Sequence, residues 1–247
     1  MLYDNPEVYD ALFGPDGHAA HYSALADRYP GPVLELACGT GQIIVALARP
    51  DRDAVGLDIS RPMLAAAERR AAAAGVEVAF AEGDMRAFDL GRQFGLVVVA
   101  RNSLLHLSTA DDFAATLGAV RRHLAPGGVL GFDVFNPNVR LLAQPPGERA
   151  FVMRAPSPEY GELRVEATSD YDAATQVNRA TWYISAPGRP DAWVAPLHLR
   201  SIFPQELPLL LAAGGFRLLS RAGDLAGAEF TSASPRQVCV CELVGLA

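Results

Sequence analysis

Val33-Leu34-Glu35-Leu36-Ala37-Cys38-Gly39-Thr40-Gly41 is a short apolar strand with one acid inside it, running into a turn with two glycines that opens a helix. Seventeen residues beyond Gly41 a second apolar run, Ala54-Val55-Gly56-Leu57, ends on another acid, Asp58. A glycine turn at one strand tip and a carboxylate at the next is how α/β proteins hold a nucleoside. Glycine lets the backbone approach a ligand with no Cβ in the way, and a carboxylate can accept both hydrogen bonds of a ribose diol. Ile44 stands where a dinucleotide fingerprint has its third glycine, which weakens an NAD reading.

The 247 residues suffice for one large domain or a domain with a sizeable insertion. Half are apolar, enough for a substantial core. The formal net charge is −7 and no Lys/Arg run occurs, so nucleic acid and acidic membrane surfaces are not expected partners. Arg69-Arg70 and Arg121-Arg122 fall in helical patterns and read as solvated faces. Cys38, Cys239 and Cys241 have no metal-ligand spacing, so no metal is expected, and free thiols suit a reducing cytoplasm. The start Met-Leu-Tyr-Asp-Asn-Pro lacks the pattern of a signal peptide, and no apolar run is long enough to cross a bilayer. A cytoplasmic monomer or homodimer is the expectation.

Around the opening motif the chain alternates between strands and helices. Helices are expected over 2–12 and 19–29, split by the breaker Gly14-Pro15-Asp16-Gly17. Strands are expected at 33–37, 54–57, 76–81, 94–100 and 129–135. Between them lie helices over 42–48, 61–74 and 110–124, with Ser60 and the Ser108–Asp111 box as caps and Gly75 as a stop. Phe94–Ala100 is apolar on both faces, as a central parallel strand must be. Units of this length imply right-handed crossovers and a doubly wound sheet. The rhythm then breaks. A proline-rich loop leads into alternating segments at 162–171, 176–184 and 192–203, read as an inserted antiparallel meander. A helix over 205–213 and strands at 216–221 and 238–243 close the chain.

Glu35–Gly41, Gly56-Leu57-Asp58-Ile59-Ser60, Gly83-Asp84-Met85-Arg86 and His123-Leu124-Ala125-Pro126-Gly127-Gly128 together resemble four motifs of the class I S-adenosylmethionine-dependent methyltransferases, in that family's order and spacing. The core of the match covers about 30–135, and the insertion is similar to that of a small-molecule subgroup that includes amino-sugar N-methyltransferases. The resemblance implies a Rossmann-like seven-stranded sheet whose last strand is antiparallel. The aromatic segment 1–30, with Tyr3, Tyr9, Tyr22, His18 and His21, is expected to fold over the cofactor as a helical lid, with 31–137 and 204–247 forming the cofactor domain and 138–203 an inserted β cap for substrate. S-adenosylmethionine is the implied cofactor and a small molecule the implied acceptor. Carried over to this chain, Ala37, Gly39 and Gly41 line the methionyl part and Glu35 reaches its amino group. Asp58 takes the ribose, Ile59 and Met85 cover adenine with Met63 nearby, and Asp84 accepts from the adenine amino group.

Ligands sit at the carboxyl ends of parallel strands, so Arg101 to His106, at the tip of the fourth strand, faces the place of methyl transfer. The family subgroup usually has an aromatic where Arg101 stands. A guanidinium beside a sulfonium is repulsive, so Arg101 is expected at the cofactor with a carboxylate of protein or substrate as its partner, or else as a plain surface or capping arginine. His106 is either a general base or a polar residue ahead of the Ser108 cap. Tyr9, Tyr22, Asn136 and Arg200 are candidate acceptor contacts. Trp182, Tyr183, Trp193 and His198 either line the acceptor pocket or form the core of the meander. Two other readings stay open: an NAD(P)-linked oxidoreductase, and a non-catalytic module that binds S-adenosylmethionine.

Overall fold

A computed structural model describes residues 2–245. It opens with a 3-10 turn, Leu2–Asp4, then α1 (Pro6–Leu12) and α2 (His18–Arg28). The alternating region follows as β1 (Val33–Leu36), α3 (Ile44–Leu47), β2 (Ala54–Asp58), α4 (Arg61–Ala74), β3 (Ala79–Glu82) and β4 (Phe94–Val99). A second 3-10 turn, Ser103–His106, precedes α5 (Ala110–His123) and β5 (Leu124–Phe135). Every residue of β1, β2 and β4 is buried, which is why these segments read as continuous apolar runs.

Local chemistry sets the helix ends. The Met63 N–H donates to the Ser60 hydroxyl at the start of α4, and Gly75 ends it in the left-handed region at φ +67°. In α5 the cap is Thr109, whose hydroxyl accepts the Asp112 N–H at 3.0 Å, one residue later than the expected Ser108 box. Pro126-Gly127-Gly128 does not separate helix from strand. It forms an irregularity inside β5, because Leu124 already pairs with Phe94.

The remaining elements are α6 (Val139–Leu142), β6 (Ala150–Ser157), β7 (Gly161–Thr168), β8 (Tyr171–Asp172), β9 (Val177–Ala186), β10 (Arg189–Arg200), α7 (Leu207–Ala213), β11 (Phe216–Ala222) and β12 (Arg236–Leu243). The main sheet runs β11-β12-β5-β4-β1-β2-β3, and β12 is antiparallel to both neighbours. Alternation along the strands sends Leu34, Leu36, Val97 and Val99 to a core with α5 and α7. Val33, Leu96 and Val98 go to a core with α2, α3 and α4.

The second sheet runs β10-β9-β7-β6, with β8 added on β9. The expected proline-rich loop contains one of its strands. β6 is an edge strand, where a proline such as Pro156 is tolerated, and the proline hid the alternation. The 1–30 segment is also not one unit. Leu2, Val8 and Leu12 bury against Leu163, Val165 and Ile184 of the second sheet, whereas Tyr22, Leu25 and Ala26 of α2 pack on the main sheet. The breaker at 14–17 divides two packing partners. Among the described residues no helix is long and apolar enough to cross a membrane.

Candidate active site

The chain runs outward from β1 to β2 and β3 on one side, then returns to β4 and β5 on the other. Strand order reverses between β1 and β4, the position where open α/β sheets leave a crevice at their carboxyl ends. A cavity of about 370 Å³ lies there. Ala37 and Gly39 border it from the first turn, Asp58, Ile59 and Ser60 from the second, and Asp84, Met85 and Arg86 from beyond β3. Arg101, Ser103 and His106 close it from the tip of β4, and Tyr3 and Tyr9 from the N-terminal segment. Ala37 and Gly39 adopt φ +53° and +54°, which turns the Gly39 N–H onto Asp58 Oδ2 at 2.8 Å. The Ser60 N–H donates to Asp58 Oδ1 at 2.8 Å. Asp58 therefore ties the two strand tips together while each oxygen keeps lone-pair capacity for a ligand. Burial raises its pKa above the usual value, opposed by the N–H groups of Ser60, Gly39 and Ile59.

Gly41 serves a different purpose from Gly39. A Cβ there would stand 2.9 Å from that of Ala67, so this glycine lets α4 approach the turn instead of lining the cleft. Ile59 is 68% exposed and borders the same cavity as the half-buried Met85, leaving apolar surface for a flat ring to cover. Asp84 borders it as well, but its carboxylate is taken by Arg86, whose Nη2 donates at 2.6 Å and whose Nε reaches both oxygens at 3.0 Å. Met63 is buried in the protein rather than beside the cavity.

Glu35 is wholly buried inside β1, and its Oε2 accepts the Ile44 N–H at 2.8 Å. It borders a small cavity under Tyr9 that Arg101 also borders. Burial pushes its carboxyl up to about 8, against the opposing pull of the Ile44 N–H and the Arg101 charge. The folded protein thus holds a proton that the unfolded chain has released above its ordinary value of 4.5, so this group makes stability fall as pH rises from about 4.5 to about 8. Glu35→Gln keeps an acceptor for Ile44 and removes the proton. In cofactor-free protein the variant is expected to show a flatter melting-temperature profile across that window. An unchanged slope would show that Glu35 titrates as an ordinary carboxylate.

A second, larger cavity of about 680 Å³ lies against the first, and Tyr3 and His106 border both. Its far walls come from Val177 and Arg179 of β9 and Pro196 and His198 of β10. The Tyr3 hydroxyl and His106 Nε2 share a hydrogen bond of 2.9 Å. Burial lowers the His106 pKa and raises that of Tyr3, so near neutrality both are uncharged. Polar contacts fix the N-terminal segment over the cleft. Ser60 Oγ donates to the Tyr3 carbonyl at 2.7 Å, and Asp10 accepts from Thr40 at 2.5 Å, Gln42 at 2.7 Å and Arg70 at 2.6 Å. Arg70, expected on a solvated face, is one of these ties.

Several other expected contacts lie elsewhere. Tyr22 is fully buried, its hydroxyl donating to Asp133 Oδ1 at 2.9 Å. Asn136 donates to the Ser234 carbonyl at 2.9 Å. Arg200 is buried against Glu206. Each borders neither cavity, because its polar group is engaged by a neighbour in the fold. Trp182 packs on Phe13, Trp193 on Tyr160, and Tyr183 lies under Arg149, which makes them packing groups of the second sheet. Of that set only His198 borders the larger cavity. Tyr3 and Tyr9 of the aromatic N-terminal segment border the cleft, as expected of a lid, whereas Asp16 and Asp133 are site-forming residues that sequence reasoning missed.

Residues 33–128 match the family described as a methyltransferase domain. The dTDP-3-amino-3,4,6-trideoxy-α-D-glucopyranose N,N-dimethyltransferase of Streptomyces venezuelae is 36% identical over 136 residues, covering 51% of this chain and 55% of that protein. The chain spans about half the length of the curated sugar N,N-dimethyltransferases it matches. The CcbJ methyltransferase from Streptomyces caelestis superposes with a TM-score of 0.82 at 24% identity, over 99% of this chain and 97% of that one. CalS10 with bound S-adenosylmethionine, an amino pentose methyltransferase from Micromonospora echinaspora, superposes with a TM-score of 0.70 at 25% identity, over 95% of each. The structural likeness thus extends through the second sheet, while the family match is confined to the region that builds the cleft. Its four motifs and its strand order agree with these matches: residues 33–128, the region that builds the cleft, are similar to a methyltransferase domain.

Proposed function

We propose that the protein transfers a methyl group from S-adenosylmethionine to a nitrogen or oxygen of a small-molecule acceptor, acting in the cytoplasm as a monomer or homodimer. The observation that carries this reading is the meeting of two cavities at Tyr3 and His106, one with a nucleoside-type carboxylate and the other without. Gly39, Asp58 and the exposed Ile59 give the first cavity what an adenosine needs: bare backbone, a diol acceptor and an apolar ring contact. Glu35 and Arg101 border the end where an amino-acid tail would lie, and the larger cavity would house the acceptor. The amino-sugar chemistry of the Streptomyces venezuelae relative favours an amine.

When bound, the sulfonium supplies a methyl carbon already activated for displacement. The chain's main task is placement, which can contribute about 7–11 kcal/mol. His106 faces both cavities as a neutral imidazole, able to take a proton from an acceptor that must lose one, a role that adds about 10²–10⁴-fold when it is needed. Its hydrogen bond to Tyr3 fixes the ring.

S-adenosylmethionine and its demethylated product are expected to raise the melting temperature, and NAD to leave it unchanged. Labelled donor should then transfer to amine acceptors, amino sugars first. His106→Gln is expected to slow turnover by about 10- to 100-fold while cofactor affinity stays within about twofold. Stabilisation by NAD alone would overturn the assignment. Lost cofactor binding in the variant would move His106 from the acceptor to the cofactor.

A further inference from the structure

Arg101 brings a positive charge to the border of the cleft in which the proposed donor would carry a sulfonium. It sits at the tip of β4 with φ +53° and borders both the main cleft and the small cavity shared with Glu35. Its backbone N–H donates to Asp133 Oδ1 at 3.0 Å. Its Nη2 donates to Asp16 Oδ1 of the N-terminal segment and to Gln42 Oε1 beside the glycine turn, each at 3.1 Å. At this depth an unneutralised guanidinium would repel a sulfonium while leaving a neutral thioether untouched. Glu35 is a poor counter-ion for that charge, because burial favours its neutral form and its Oε2 is engaged by the Ile44 N–H.

Asp16 is the better counter-ion. Burial alone would raise its pKa, but the backbone and imidazole of His18 and the Arg101 charge outweigh that and hold it below the usual value. Its position is fixed as well as its charge. The His18 N–H donates to Asp16 Oδ1 at 3.0 Å, and His18 Nδ1 lies 2.6 Å from the same oxygen. On its other side His18 Nε2 is 3.2 Å from Asp133 Oδ2, on the carboxylate that also holds the Arg101 backbone. Two acids joined through His18 therefore grip Arg101 at both ends.

We propose that Asp16 is a positioning residue, the counter-ion that lets Arg101 stand beside the cleft, and that this pair sets how well the protein distinguishes its cationic donor from the neutral demethylated product. The proposal rests on the methyltransferase reading. It predicts a change in a ratio of affinities, which a loop that merely supports the fold would not produce.

Calorimetric titration of S-adenosylmethionine and S-adenosylhomocysteine into wild type, Asp16→Asn, Arg101→Gln and the double variant tests it. Asp16→Asn is expected to weaken the sulfonium ligand about five- to tenfold more than the thioether, an excess that shrinks as salt is raised. Arg101→Gln should move the ratio the opposite way, and the double variant should return it to within about twofold of wild type. Equal losses for both ligands in Asp16→Asn would overturn the proposal. Should that variant not fold, an unchanged or lowered preference for the sulfonium in Arg101→Gln overturns it equally. Wild type that binds neither ligand would instead remove the methyl-donor reading itself.

Discussion

Asp133→Ala is expected to cost about 3–5 kcal/mol of folding stability, the range for removing one partner of a buried ion pair. In a chain of this size that is a fall of roughly 6–20 °C in melting temperature. Asp133 is wholly buried in the middle of the main sheet. Its Oδ1 accepts from the Tyr22 hydroxyl at 2.9 Å and the Arg101 N–H at 3.0 Å, and its Oδ2 from Arg236 Nη1 at 2.9 Å. Alanine would strand a phenol and a backbone N–H away from water and take the carboxylate from the partly exposed Arg236 guanidinium. Asp133→Asn keeps an acceptor for Tyr22 and Arg101 but loses the charge facing Arg236, so a smaller loss is expected. Burial would raise the Asp133 pKa, yet His18 and Arg236 bring it below the usual 3.8. A depressed carboxylate contributes stability above its unfolded value that is lost as pH falls through the folded one, so the wild-type advantage over Asp133→Asn should shrink below about pH 4. Urea denaturation of the three proteins measures both effects. A loss under about 1 kcal/mol in Asp133→Ala would mean that water or a rearranged Arg236 takes over the site.

The signal for Asp133 was present in the sequence: a lone acid inside Val129–Phe135, a run otherwise fit to be buried on both faces. Its partners were not legible, because Tyr22, His18 and Arg236 come from distant parts of the chain. That contrast holds across the molecule. Glu35, Gly39 and Asp58 could be placed because each sits at a fixed offset from a strand end, and strand ends in a parallel sheet converge. Gly41 was assigned to the ligand because sequence shows that a glycine is required, not which neighbour requires it; Ala67 of α4 proved to be that neighbour. Arg200 and Asn136 were chosen as polar groups in or near the insertion, but a polar side chain can equally be consumed by the fold, as by Glu206 and the Ser234 carbonyl here. The Tyr3–His106 contact joins residues more than a hundred positions apart through the packing of α1 on the second sheet, and no local pattern encodes that packing.

Asp58→Ala is expected to weaken S-adenosylmethionine by about 100-fold or more, because two charge-assisted hydrogen bonds to a ligand diol are together worth roughly 3–4 kcal/mol. The carboxylate has two duties, and the variants separate them. Toward the protein it accepts the Gly39 and Ser60 N–H groups, each at 2.8 Å, which shapes the glycine turn and the start of α4. Toward the cavity it offers its remaining lone pairs. Asp58→Asn keeps one oxygen for the backbone but turns an amide N–H₂ toward the other donor, so it should lose most of the affinity while costing less stability than alanine. Sulfonium and thioether ligands carry the same ribose and should lose affinity by the same factor, unlike in Asp16→Asn. Because burial raises the Asp58 pKa, the acid-side decline in affinity should begin at a higher pH than an exposed aspartate would give. Isothermal titration of both ligands against pH, alongside melting curves of the free variants, tests these points together. Affinity within about threefold of wild type in a folded Asp58→Asn would mean the ribose is held elsewhere, since losing even one charge-assisted hydrogen bond costs more than that.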